Sequence, residues 1–177
     1  AMLLCIEDTW YNPSSLYAPA QKAAEALEDA RMRIAACLNA SPDEIIFTSG
    51  GSESDNQAIF SATQAGARTG KRHIVSTTIE HHAVLHTLKK LEREGYEVEL
   101  LDISSSGIIS VAQVERAIRE DTCLVTVMYA NNEIGSIQPI SEIGAICRKK
   151  GVAFHTDTVQ AAGHLPIDVK AQNIDLL

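Results

Sequence analysis

The amino-acid sequence predicts an α/β fold of three layers, in which helices cover both faces of a mainly parallel sheet. Short apolar runs typical of buried strands alternate with segments that have the spacing of amphipathic helices, and short turns connect them. Polar residues follow directly after several of these runs, and open parallel sheets bind their ligands at the carboxyl ends of the strands. The sequence therefore predicts both a fold and the edge of the sheet that holds a site.

The first half of the chain contains two predicted helices and two predicted strands. An alanine-rich segment with spaced charges predicts the first helix, and Ser41-Pro42-Asp43 predicts a turn after it. Two glycines precede the second helix, and Ser52 is a suitable cap for its amino end. In order, the elements are a helix over 18–39, a strand over 44–48, a helix over 52–65 and a strand over 73–77.

The second half continues the alternation without a repeat or an internal linker, which predicts a single domain. Gly95 stands where the end of a helix favours left-handed backbone. The elements are a helix over 83–94, strand 97–101, helix 111–119, strand 123–128, a polar loop over 129–138, helix 140–150, strand 151–154 and the start of a further strand at 174–177.

Composition argues against several classes of function. The net charge of −8 provides no basic excess to neutralise phosphates, so we expect no nucleic-acid partner. No apolar span is long enough for a transmembrane helix, so we expect no membrane partner. The cysteines are scattered without a C-x-x-C pair, which favours reduced thiols in a cytoplasmic protein over a disulfide framework or a metal site. They are Cys5, Cys37, Cys123 and Cys147.

A glycine-containing turn at residues 48–54 joins a predicted strand to a helix. Gly50 and Gly51 let backbone amides approach a ligand closely, and the free amides of a helix start favour an anion. Ser52 and Ser54 add hydroxyl donors. The turn matches neither the P-loop nor the dinucleotide-binding pattern, and by itself it is consistent with a phosphate site or with a structural turn.

Three histidines follow the strand predicted at 73–77. His81 stands just before a helix, where it can cap that helix or present a flat ring to the same crevice as Gly51. His82 and His86 have the four-residue spacing of metal ligands on a helix. Because the sequence provides no evident third ligand, we predict no metal site.

Polar residues also follow the strands predicted at 123–128 and 151–154. Adjacent asparagines often form only a turn, which we expect of Asn131, whereas Asn132 can equally be an amide that binds a carboxylate or a ring oxygen. Asp157 can cap a helix or pair with a protonated ring nitrogen, and Gln160 is close enough in sequence to reach an oxygen of the same ring.

Together these groups match the needs of one cofactor, pyridoxal phosphate. It requires an anchor for its phosphate, a flat group that stacks on its ring and an acid at its pyridine nitrogen. The acid keeps that nitrogen protonated, so that the ring can withdraw electrons from a substrate.

Several segments, in the same order along the chain, resemble the class V aminotransferase-like family of pyridoxal-phosphate enzymes, and within it the cysteine desulfurases. The resemblance extends over essentially the whole chain. The segments are residues 12–15, 47–56, 79–81, 130–135 and 155–160.

The resemblance implies a role for each residue of the cofactor site. Gly51 and Ser52 match the phosphate-binding positions, although the family usually has threonine at the position of Ser52. His81 matches the ring that stacks on the cofactor, Asp157 the acid at its nitrogen, and Gln160 the amide near its phenolic oxygen. His81 and Asp157 are the predicted catalytic residues.

The resemblance also implies a substrate site and an activity. Asn132 matches the asparagine that holds the substrate carboxylate. Next to Asp157, Thr158 stands where the family often has alanine. The implied reaction removes sulfur from L-cysteine to give L-alanine and an enzyme persulfide. That sulfur would pass to an acceptor or scaffold protein for iron–sulfur cluster or thio-cofactor assembly, and the family implies a homodimer.

The resemblance further implies that the chain is most of the large domain of a longer enzyme. The family's Schiff-base lysine follows the strand that starts here at Ile174, and its reactive cysteine and small C-terminal domain come later still. We therefore expect those parts and the N-terminal strand outside the 177 residues, and we expect this chain alone to be inactive. The alternatives are a selenocysteine lyase or other class V aminotransferase, and a non-catalytic scaffold domain.

Overall fold

The structure is a computed structural model that describes residues 2–177, apart from the side chain of Leu4. The chain divides into two compact units, one up to Phe47 and the other Thr48–Leu177. No helix within the described range is both long enough and apolar enough to cross a membrane.

The first unit is helical. Helix α1, Met2–Asp8, lies where the sequence predicted no element, and helix α2, Ala18–Leu38, matches the helix predicted over 18–39. Asn39 ends α2 in the left-handed conformation at φ 56°, and its amide donates to carbonyls of the last turn.

The strand predicted over 44–48 is wrong. A 3₁₀ turn, Pro42–Glu44, is followed by irregular backbone. The guanidinium of Arg31 donates to the carbonyl of Ile45 and lies 4.8 Å from the centre of the Phe47 ring. A strand needs a neighbouring strand for its backbone polar groups, and here a side chain from α2 satisfies one of them instead.

The second unit contains a four-stranded parallel sheet with the order β2-β1-β3-β4. The strands are β1 (His73–Thr77), β2 (Glu97–Leu101), β3 (Thr122–Thr126) and β4 (Ala153–His155). The helices are α3 (Gly51–Ala67), α4 (His82–Arg93), α5 (Val111–Ala117) and α6 (Ile140–Lys150).

The helices cover both faces of the sheet. Helix α3 packs on α4 and β3, whereas α5 packs on α6. Right-handed crossovers place α4 on one face and α5 and α6 on the other, because the chain runs in opposite directions along the sheet in the two cases. The predicted α/β fold with flanking helices is therefore confirmed.

The main core lies between the sheet and the α3–α4 layer. All five residues of β1 and of β3 are buried, as expected for central strands of a parallel sheet that is covered on both faces. Each large apolar side chain buried there contributes about 1.5–3 kcal/mol to folding. The largest members of this core are Ile59, Ile74, Leu88, Leu91 and Leu124.

The last predicted strand is present as one bridge. Leu176 pairs with His155 in parallel, and its amide donates to the carbonyl of Phe154. The segment at 174–177 therefore begins to extend the sheet beyond β4.

The order of the strands creates a crevice. The chain leaves β1 toward β2 on one side and later returns past β1 to form β3 on the other. The loops after β1 and β3 therefore diverge, and such a switch point is where α/β sheets bind ligands.

Candidate functional site

Four segments surround the switch point. They are the loops that follow β1, β3 and β4 and the amino end of α3. The predicted site residues lie on these four segments, with His81 after β1, Asn132 after β3, Asp157 and Gln160 after β4, and Gly51 and Ser52 on α3.

The amino end of α3 lets both the loop after β4 and an anion come close to its backbone. The amides of Glu53 and Ser54 both donate to the carbonyl of Gly50 at 3.1 Å, whereas those of Gly51 and Ser52 have no carbonyl one turn earlier in the helix. A Cβ on Gly51 would lie 2.6 Å from Cγ2 of Val159. Glycine therefore allows the loop after β4 to lie against the helix start, where unpaired amides favour an anion.

The turn before α3 is held by its own side chains. The hydroxyls of Thr48 and Ser54 lie 2.7 Å apart, and Glu53 accepts from both the amide and the hydroxyl of Ser49. The hydrogen bonds from Ser49 lower the pKa of the exposed Glu53 carboxyl. Ser52 itself is exposed, so its hydroxyl is available to a ligand.

Asp157 lies two residues beyond β4 and is 6% exposed. Its Oδ1 accepts from the amide of Val159 at 2.9 Å, and its other oxygen has no hydrogen bond within residues 2–177. Burial raises the pKa of Asp157; the Val159 amide opposes this, Asp55 adds to it, and His81 lowers it. A buried acid with one free oxygen is suited to a cationic partner.

His81 is the amino-terminal cap of α4. Its Nδ1 accepts from the amide of Ala83 at 3.2 Å, which shows that the capping interpretation is correct. The ring is exposed, and its charge acts on Asp157. The cap thus holds a ring that remains exposed.

The two asparagines have different environments. Asn131 is buried, with Oδ1 accepting from the amides of Glu133 and Ile134 and Nδ2 donating to the carbonyl of Ile79 at 3.1 Å. The turn predicted for Asn131 is confirmed, and it also joins the exits of β1 and β3.

The side chains of Asn132 and Gln160 are exposed. Within the described part of the chain, no hydrogen bond joins either side chain to another predicted site residue. Their predicted roles depend on a bound ligand.

Sequence reasoning missed a buried acid beside His81. Oε1 of Glu80 accepts from Thr77 Oγ1 at 2.6 Å and from the Met128 amide at 2.9 Å. Burial raises the pKa of Glu80 to about 8, even though those two hydrogen bonds lower it, and the charge of Asp157 raises it further. Its place in the loop after β1 could have indicated a site residue, but the sequence does not show that its side chain is buried.

The second group that sequence reasoning missed is a buried histidine two residues before Asp157. His155 is fully buried at the end of β4, with Nδ1 2.8 Å from the hydroxyl of Thr126 and Nε2 3.6 Å from Oδ1 of Asp55. His155 also lowers the pKa of Asp157 electrostatically. Asp55 comes one turn after Ser52 on α3, so the pair connects both proposed cofactor segments. A polar residue two positions before Asp157 in a buried strand was the available signal.

The structure also describes the paired histidines of α4 and two buried cysteines. The rings of His82 and His86 stack at 5.6 Å, and residues 2–177 contain no group of three or more possible metal ligands. Cys123 and Cys147 are buried, and burial raises the pKa of their thiols to about 11 and about 12. Those two thiols are therefore protonated at neutral pH and unsuited to nucleophilic attack.

Comparison with known proteins gives a consistent result. The family model for aminotransferase class-V matches residues 6–177. The chain is 51% identical over 176 residues to a protein of Clostridium botulinum named cysteine desulfurase IscS, and 52% identical over 166 residues to the putative cysteine desulfurase IscS 1 of Bacillus subtilis. Those alignments cover 99% and 94% of this chain.

Solved structures agree. A structure described as SspA in complex with cysteine superposes with a TM-score of 0.92 at 43% sequence identity and covers 98% of this chain. The chain spans 44% of the length of the two curated relatives and 50% of that solved chain.

Proposed function

Because the chain belongs to the class V aminotransferase family, we propose that the complete protein is a pyridoxal-phosphate-dependent cysteine desulfurase. The observation that carries the proposal is the convergence at one switch point of a helix start built for an anion and a buried acid with a free oxygen. The relatives named cysteine desulfurase give the choice of reaction.

The residues present fit pyridoxal phosphate. Gly51 and Ser52 would hold its phosphate, since the helix start offers free amides and a hydroxyl and has no room for a Cβ. His81 would stack on its ring and Gln160 would approach its phenolic oxygen. When bound, the cofactor supplies a ring that withdraws electrons from the substrate carbon.

Asp157 would act through its charge. Its free oxygen would accept a hydrogen bond from the protonated ring nitrogen and keep that nitrogen charged. A cationic partner there would in turn offset the burial that raises the pKa of this acid. The Val159 amide holds the same carboxylate, and His155 lowers its pKa electrostatically. His81, fixed by its cap bond, would add a flat surface for the ring.

The substrate we propose is L-cysteine, with its carboxylate bound by Asn132, and the products are L-alanine and an enzyme persulfide. The sulfur would pass to an acceptor or scaffold protein for iron–sulfur cluster assembly. We further propose a homodimer in the cytoplasm.

The test is substitution of Asp157 in the complete protein. Asp157→Asn and Asp157→Ala should weaken the binding of pyridoxal phosphate by about 1.5–3 kcal/mol, roughly 10- to 150-fold in affinity. The reason is that a hydrogen bond between charged groups is lost. Affinity is measured by absorbance titration and alanine formation from L-cysteine by a coupled assay. Asp102→Asn is the matched control, since Asp102 is an exposed acid that directly follows β2 at the same edge of the sheet.

Three results would contradict the proposal. Wild-type affinity and activity in Asp157→Ala would remove the role given to that acid. Failure of the wild-type protein to bind pyridoxal phosphate at all would favour a non-catalytic scaffold, and turnover of selenocysteine or another amino acid in preference to L-cysteine would indicate a different enzyme of the family.

A further inference from the structure

Glu80 is a buried acid that the proposed reaction does not use. It is 5% exposed and lies between the end of β1 and His81, at the switch point itself. Burying a charged carboxyl group without a cationic partner costs free energy, so the position of Glu80 requires an explanation.

The contacts of Glu80 join the two diverging strand exits. One oxygen, Oε1, accepts from Thr77 at the end of β1 and from the amide of Met128 just after β3. The neighbouring bond from Asn131 to the carbonyl of Ile79 joins the same two loops. Glu80 and Asn131 therefore each link the two loops across the crevice.

The geometry also indicates the charge state of Glu80. Both hydrogen bonds converge on Oε1, whereas Oε2 is buried without a hydrogen-bond partner among the described residues. The charges of Asp157, in the loop after β4, and of Asp55, on α3, both raise the pKa of Glu80. A carboxylic acid with its proton on Oε2 suits this environment, whereas a carboxylate would add a third negative charge.

We propose that Glu80, as an uncharged carboxylic acid, is a positioning residue that clamps the exits of β1 and β3 together and so fixes His81 and Asn132 on either side of the crevice. His81 is the next residue in the chain, and Asn132 follows the Asn131 turn that forms the second link. Ionisation of Glu80 weakens the clamp, because the charged group requires solvation that the buried site does not offer. The link to a cofactor rests on the proposed function, whereas the clamp itself does not.

The experiment compares Glu80→Gln with Glu80→Ala in the complete protein. Glutamine keeps an oxygen at the position of Oε1 and has no acidic proton, so it should preserve the clamp at every pH. Alanine removes the acceptor of both bonds. Glu92→Gln, an exposed residue of α4, controls for the loss of an acidic group.

The first readout is hydrogen exchange of the Met128 amide in the protein without added cofactor, expressed as protection relative to the intrinsic exchange rate. We expect Glu80→Ala to lose at least roughly tenfold protection and Glu80→Gln to stay within about threefold of wild type at pH 6.5. Above pH 8, wild type should lose protection while Glu80→Gln keeps it. A merely space-filling residue would not produce that pH difference.

The second readout is affinity for pyridoxal phosphate at pH 7. Glu80→Ala should bind roughly tenfold or more weakly, and Glu80→Gln should bind nearly as wild type does. Equal losses in the glutamine and alanine variants would show that Glu80 acts as an anion and would overturn the proposal, as would unchanged Met128 protection in Glu80→Ala. If no variant and not even wild type binds the cofactor while the protection pattern holds, the clamp stands and the proposed function fails.

Discussion

At the scale of single residues, the contact between Gly51 and Val159 decides how closely two parts of the site approach. Gly51 opens α3, and Val159 lies two residues beyond Asp157. The 2.6 Å that would separate a new Cβ from Val159 Cγ2 is too short for two carbon atoms. Valine is stiff about its first side-chain torsion, so the loop itself has to shift.

Gly51→Ala should therefore weaken the binding of pyridoxal phosphate by about 1–3 kcal/mol, the usual effect of overpacking, while the fold is largely retained. The affinity of the complete protein is measured by absorbance titration. Val159→Ala in the same chain removes the clashing methyl, and the double variant should recover most of the affinity. No recovery would mean that Gly51 matters for a reason other than the loop after β4.

At the scale of elements, helix α6 reaches the site through a chain of contacts. A Cβ on Gly144 would overlap the carbonyl oxygen of Gln172, so α6 lies directly against the turn before Ile174. The side-chain Nε2 of Gln172 donates to the hydroxyl of Tyr129 at 2.8 Å, and the backbone amide of Tyr129 donates to the carbonyl of Asp157 at 2.8 Å. Packing of this helix therefore supports the loop that carries the acid.

Gly144→Ala should destabilise the protein by about 1–3 kcal/mol through overpacking, although alanine favours helix by about 1 kcal/mol relative to glycine. Urea unfolding measures the difference. Ser141→Ala, on the exposed side of the same helix, should change stability by less than about 0.5 kcal/mol. A stable Gly144→Ala variant would show that the 168–173 turn moves freely.

At the scale of the whole molecule, buried ionisable groups give the fold a pH dependence. Burial raises the pKa of Glu80 from 4.5 to about 8, so unfolding releases its proton anywhere between those values. Burial lowers the pKa of His73, so unfolding takes up a proton below 6.5. The Glu80 contribution falls as pH rises, and the His73 contribution falls as pH drops.

Between pH 6.5 and 8, His73 no longer takes up a proton on unfolding, so only Glu80 contributes. The free energy of unfolding should therefore fall by up to about 1.4 kcal/mol per pH unit. Urea unfolding at pH 6.5, 7.25 and 8 tests the slope. Glu80→Gln should flatten it and Glu92→Gln should not. A slope that persists in Glu80→Gln would assign the effect to another group.

The sequence allowed some of this to be predicted. The strand ends bearing His81, Asn132 and Asp157 were predictable because parallel strands place their carboxyl ends at one edge. The strand over 44–48 was wrongly predicted, since an apolar run indicates a strand only where a neighbouring strand is present to pair with it.

The clamp formed by Glu80 was not predictable in the same way. Its partner, the Met128 amide, is 48 residues away along the chain, and its charge state depends on burial by helices that the local pattern does not show. The pair of His155 and Asp55 was hidden for the same reason.

The strand order also has a kinetic consequence. The central pair, β1 and β3, is bridged by the side chains of His73 and Thr122, which are 49 residues apart, and the whole of β2 lies between them in the chain. Closing such a loop is slow, because its entropy is lost before the contacts form. The crevice between these strands exists only after that step, so during refolding the appearance of cofactor binding should lag behind helix formation and report on completion of the sheet.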